Sequence, residues 1–131
     1  MRTLALALAV FVFPVSSAIQ EHEQPYTSGN SFFRLCSSFD KAGKSNEEIV
    51  QSYACVYYIR GVVDGIKEEW AFVSATTNKE TPRPYCLPSK VEGGQAVRVT
   101  IEFLRSHPDI AHEGTSFIVA RALREAFPCK E

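Results

Sequence analysis

The residues of this chain with the most chemistry to offer are four cysteines, Cys36, Cys55, Cys86 and Cys129. As free thiols, Cys86 or Cys129 could pair with His107 or His112, giving the nucleophile and base of a cysteine hydrolase. As metal ligands they would need zinc spacing, yet the chain has no C-x-x-C and only three histidines, so no metal site is expected. Asp64, Glu68 and Glu69 could form the acid and base of a glycoside hydrolase, but the solvated face of a helix accounts for the same spacing. No G-x-S-x-G, H-E-x-x-H or phosphate-binding glycine loop occurs.

Which chemistry the cysteines follow depends on where the chain resides. Arg2 precedes an apolar run from Leu4 to Val15, shorter than the roughly 20 apolar residues that span a bilayer. Ser16, Ser17 and Ala18 then supply the small side chains that a signal peptidase reads. The pattern predicts a signal peptide over residues 1–18, cleavage after Ala18 and an exported product. No cysteine follows the apolar run to carry a lipid anchor, so no membrane attachment is expected after cleavage. Thiols outside the cytosol are oxidised, and an even number of them predicts disulfides. A catalytic thiolate must stay reduced. Bridged cysteines therefore exclude the hydrolase reading, and neither a cofactor nor a reaction is expected.

The elements that position these cysteines are helical. The 131 residues are 45% hydrophobic and 22% charged, the composition of one globular domain. Lysine and arginine number 14 against 15 acidic residues, which leaves no basic surplus for nucleic acid or anionic lipid. Residues 19–27 are polar and read as a flexible tail, leaving residues 28–131 as the domain. A first helix is expected from a cap at Ser28 or Asn30 through Phe39, stopped by Lys41, Ala42 and Gly43. Ser45 and Glu48 form a capping box for a long second helix. Val56, Ile59, Val63, Ile66 and Trp70 recur on one face of it. Gly61 and Gly65 predict a second backbone packed closely against that helix, since each otherwise costs about 1 kcal/mol. The aromatic set Tyr53, Tyr57, Tyr58 and Trp70 covers more than one face, so some rings must meet solvent, a loop or a partner.

Threonines and prolines from Ser74 to Pro88 predict an exposed loop. A third helix carries Val97, Ile101 and Leu104, with Ser89 and Glu92 as a possible capping box and Gly93 and Gly94 delaying its start. It ends before Pro108, because proline pushes the residue before it out of helical geometry. A fourth carries Phe117, Val119, Leu123, Ala126 and Phe127 and closes at Pro128. One imidazole of His107 or His112 is placed to meet carbonyls at a helix end. The fold class is thus all-α, about four helices in two antiparallel hairpins. In such hairpins the start of one helix lies beside the end of the next, which pairs Cys36 with Cys55 and Cys86 with Cys129.

Several segments together resemble one family. They are Cys55, the run Y-I-R-G-V-V-D-G from Tyr58 to Gly65, Y-C-L-P from Tyr85 to Pro88, a helix led by Gln95, His107 with Pro108, and A-L-R-E-A-F-P-C from Ala122 to Cys129. From Cys36 to Cys129 the chain resembles the Rap1a/Tai family of type VI secretion immunity proteins. One position departs: Glu92 stands where the family pattern leads one to expect threonine. The resemblance implies a small helical periplasmic protein that binds a secreted peptidoglycan amidase effector and blocks its active site. Members are often dimeric, so a homodimer is also implied.

Blocking a cleft requires a protrusion. The longest irregular stretch, Ala75 to Arg83, supplies it, with Thr76, Thr77, Asn78, Lys79 and Arg83 as the expected contacts to the effector. A different class of function, a small helical envelope chaperone or stress protein with no toxin partner, fits the same composition. It would protect an unrelated client from aggregation in acid, and an inhibitor would not.

Overall fold

A computed structural model describes residues 26–77 and 81–130. The predicted signal peptide and most of the predicted tail fall on residues 1–25, outside the described residues.

The fold is all-α, as the periodicity predicts. Helix α1 spans Gly29–Cys36, α2 Asn46–Thr77, α3 Gly93–Ser106 and α4 Thr115–Ala126, with one turn of 3-10 helix at Pro108–Ile110. Ser28 caps α1: its hydroxyl accepts from the amide of Ser31 at 3.2 Å, and the Ser31 hydroxyl accepts from the amide of Ser28 at 3.0 Å. The next amides of α1, on Gly29 and Asn30, donate to the carbonyls of Glu113 and Ala111. The start of α1 therefore docks on the turn that leads into α4. Tyr26 and Thr27, at the end of the segment read as tail, are held too. Tyr26 stacks on Tyr58 at 4.8 Å, and the Thr27 carbonyl accepts from the amide of Thr115.

Helix α1 stops at Cys36, one turn earlier than the spacing predicts. Phe39 sits in the following turn, flanked by the cations of Lys44 and Arg98 at 5.1 and 5.5 Å from its ring centre. The Ser45 and Glu48 box forms at the start of α2. The Glu48 carboxylate accepts from the amide of Ser45 at 2.8 Å, and the Ser45 hydroxyl accepts from the amide of Glu48 at 3.2 Å. No equivalent box starts α3. Glu92 is its N-cap and makes no side-chain bond to the helix.

One core serves both hairpins, because α3 packs against α2 and α4 together. Phe32 and Cys36 of α1, Cys55 and Ile59 of α2, Val97, Ile101 and Leu104 of α3, and Ile118, Val119 and Leu123 of α4 are buried in it. Ile118 was not on the predicted face of α4, whereas Phe117 turns outward beneath Arg121. Both predicted bridges are formed, Cys36–Cys55 and Cys86–Cys129, with Cα separations of 6.0 and 4.9 Å. They close loops of 19 and 43 residues. In the chain-entropy account such loops are worth about 3 and 4 kcal/mol, a large share of the stability of so small a domain.

The close backbone approach lies elsewhere than the sequence predicts. Gly61 and Gly65 face open space, with nothing near where a Cβ would stand. The crowded glycines are Gly93, where a Cβ would come within 2.7 Å of Val56, and Gly29, where it would meet Leu104 at 2.7 Å and the Ala111 carbonyl at 2.9 Å. Those two let α3 lie on α2 and α1 lie on the turn before α4.

Candidate functional site

Helix α2 is longer than the core it serves. Its 32 residues reach about 48 Å at 1.5 Å per residue, against about 21 Å for the 14 residues of α3. Only Cys55 and Ile59 are fully buried along it. Val56, Val63, Ile66 and Trp70 continue the same face half-buried, and beyond Trp70 every described side chain except Ser74 is exposed. The far end of α2 projects from the body.

The expected loop from Ser74 is corrected here, because α2 runs on through Thr77. Threonine is a poor helix former, but its hydroxyl can bond back to the carbonyl one turn earlier. The Thr76 hydroxyl donates to the Phe72 carbonyl at 2.9 Å, and that of Thr77 to the Val73 carbonyl at 2.8 Å. Thr76 and Thr77 thus sit on an exposed helix end, while Asn78 and Lys79 lie outside the described residues.

From Thr81 the chain returns along α2 as a strap. The indole N–H of Trp70 donates to the Thr81 carbonyl at 2.8 Å, and the Arg83 guanidinium covers the same ring at 5.3 Å from its centre. Further back, the Tyr85 hydroxyl donates to the Val63 carbonyl at 3.4 Å. Burial pushes the Tyr85 phenol up, and the charge of Asp64 adds to the shift, so the hydroxyl stays a donor at neutral pH. The strap is tied at its other end by the Cys86 amide, which donates to the Phe127 carbonyl at 2.9 Å, and by the Cys86–Cys129 bridge. Between strap and helix runs a half-open groove of about 370 Å³, apolar along Val63, Ile66, Tyr85 and Leu87, with Lys67 and Arg83 also lining it.

Of the predicted contacts, Arg83 is brought to Trp70, roughly two turns below Thr76 and Thr77 on the helix. Of the two residues that hold the strap, Tyr85 stands out in the sequence only as part of the Y-C-L-P run, while Trp70 belongs to the aromatic set with solvent, a loop or a partner to meet, and it meets the strap. A second surface was legible only as an excess of aromatic residues. Among the described residues every large exposed apolar side chain except Phe117 is on α2: Ile49, Val50, Tyr53 and Tyr57 toward its start, Phe72 and Val73 toward its end. Tyr53, Tyr57 and Phe72 are 62%, 66% and 69% exposed.

The other candidates for chemistry fall to structural roles. All four cysteines are bridged, so neither Cys86 nor Cys129 is a nucleophile. Asp64, Glu68 and Glu69 face solvent. His107 stacks on Phe103 at 4.1 Å with Nδ1 3.0 Å from the Phe103 carbonyl at the end of α3, the helix-end role expected of it.

The model of the family described as Rap1a immunity proteins matches residues 28–129, from the cap of α1 to the last bridged cysteine. Neither the curated proteins nor the solved structures give a match. The matched span contains all four helices, both bridges and the strap, and on it the chain belongs to the Rap1a immunity protein family.

Proposed function

We propose that this chain is a periplasmic immunity protein of the type VI secretion system that binds a peptidoglycan amidase effector and occludes its active site without performing a reaction. The observation that carries the reading is the overreach of α2, whose last turns stand outside the core and are braced by the strap at Trp70 and Thr81. A braced projection enters a cleft at lower entropic cost than a free loop. Thr76 and Thr77 on the helix end and Arg83 on the strap are the contacts, together with Asn78 and Lys79 of the sequence between them. Export fits the two formed disulfides. Among the described residues no helix is long and apolar enough to cross a membrane.

The exposed side of α2 supports a homodimer in the same reading. Tyr53 and Tyr57 lie one turn apart, with the open backbone at Gly61 and Gly65 following on the same side of the helix. A second copy would cover rings that otherwise meet water. Sedimentation of the native chain and of Tyr57→Glu tests this: the native chain runs as a dimer and the variant as a monomer.

The test of occlusion replaces Thr77–Arg83 with a short glycine and serine turn. Helicity and both bridges persist, while inhibition of a cognate cysteine-histidine amidase weakens. Unchanged affinity rejects the assignment of this surface. Inhibition by the native chain saturates at a fixed ratio of inhibitor to amidase, as occlusion requires.

A further inference from the structure

The two bridges differ in their surroundings. Cys36 and Cys55 are buried within the core at 1% and 0% exposure. Cys129 is exposed and Cys86 half-buried; the hollow they line also carries Arg124 and Lys130, and the Arg83 carbonyl stands 4.0 Å from Cys129 Sγ while its guanidinium lies over Trp70. No carboxylate of the described residues lines that hollow.

Thiol exchange needs a thiolate to approach one sulfur directly, and its rate depends on access and on how well the departing thiolate is stabilised. A buried bridge meets those conditions only after the core opens, whereas an exposed one meets them in the folded state. Cations beside a bridge draw in an anionic thiol and lower the pKa of the thiol that leaves.

We propose that Cys86–Cys129 is a thiol-exchange site for anionic thiols, reactive in the folded protein, and that Cys36–Cys55 is not. The incoming thiolate bonds to Cys129 Sγ, the sulfur of the more exposed residue, and the electron pair of the broken bond leaves on Cys86 Sγ as a thiolate. A second thiol then attacks the external sulfur of the mixed disulfide and releases the Cys129 thiolate. The protein bridge is reduced by two electrons and the two external thiols are oxidised to one disulfide. The step frees the strap from the end of α4 covalently, while Trp70 still holds it at Thr81. This goes beyond the immunity reading and does not rest on it.

The test uses the native, folded chain with reduced glutathione as the anionic probe and cysteamine, whose attacking thiolate is a net-neutral zwitterion, as the control, at matched thiolate concentrations. Samples are alkylated at intervals and the cysteine peptides are weighed. Peptides carrying Cys86 and Cys129 are labelled about tenfold or more faster than those carrying Cys36 and Cys55, the ratio that about 1.4 kcal/mol of opening would impose, and the glutathione adduct is found on Cys129. Added salt slows glutathione and does not slow cysteamine, and Arg124→Ala with Lys130→Ala removes that difference. Labelling of all four cysteines in step, or of Cys36 and Cys55 first, overturns the proposal. An equal salt response of the two probes in the native chain overturns the role of the cations.

Discussion

The hydroxyl of Tyr58 donates to the carbonyl oxygen of Tyr26 across 3.2 Å, beneath two rings stacked 4.8 Å apart. Tyr26 also accepts from the Gln51 side chain at 2.7 Å and takes a φ of 66°, a region an aromatic residue enters only when its contacts hold it. Burial raises the pKa of both phenols, and that of Tyr85. A phenol whose pKa is raised by folding stabilises the fold fully below the unfolded pKa of about 10, and loses that contribution as pH rises through the folded value. Stability is therefore expected to hold through neutral pH and to fall above about pH 10, in step with tyrosinate absorbance. Tyr58→Phe removes one of these titrations and the bond to Tyr26. It should cost about 1 kcal/mol in urea unfolding at neutral pH and flatten the alkaline fall.

The glycines divide by what surrounds them. Gly61→Ala and Gly65→Ala add a methyl to open helix surface and should each stabilise the monomer by up to about 1 kcal/mol. Gly93→Ala drives a Cβ to 2.7 Å from Val56 and should lose about 1 to 3 kcal/mol. Gly29→Ala should cost at least as much, because the Ala111 carbonyl it meets is already bonded to the amide of Asn30 and cannot withdraw freely. Thermal midpoints of the four single variants check both signs.

Helix α3 begins without a side-chain cap: Glu92 accepts from the amides of Gln95 and Ala96 through its backbone carbonyl, and its side chain makes no bond to the helix. Serine or threonine at that position would accept from an amide of the first turn. Glu92→Ser and Glu92→Thr should therefore raise stability by about 1 kcal/mol. Equal midpoints for Glu92→Ser and Glu92→Ala would show that the new hydroxyl does not cap.

The helices and bridges were legible because each rests on local chemistry. Ser28, Ser45 and Glu48 announce helix starts, Pro108 and Pro128 announce ends, and the positions of four cysteines relative to those ends leave one natural pairing. What failed depended on context. Thr76 and Thr77 read as loop because β-branched residues near prolines oppose helix, yet their hydroxyls return to Phe72 and Val73, and Pro82 lies beyond the helix end. Gly61 and Gly65 signal a close approach only if another element arrives, and α3 reaches α2 at Val56 through its own Gly93 instead. The strap was invisible for the same reason: the bond from Trp70 to Thr81 and the cover of Arg83 join residues whose nearness follows from the return of the chain.

That clamp gives the most direct readout of the proposed contact surface, because Trp70 is the only tryptophan in the chain. Arg83 covers one face of the indole, and a guanidinium stacks on an aromatic ring better than an ammonium does. Arg83→Ala should shift Trp70 emission to the red as water replaces the guanidinium, with Arg83→Lys in between and helical circular dichroism unchanged. Trp70→Phe keeps an aromatic ring but removes the donor to Thr81, a loss of about 1 kcal/mol that falls on the strap. The other end of the strap stays tied through Cys86 to Phe127 and Cys129, so the thermal midpoint should move little while amide exchange quickens after Thr81. If the strap braces the end of α2 for binding, Trp70→Phe also weakens inhibition of the amidase; full inhibition by a variant with a loosened strap would confine the contact surface to α2 itself.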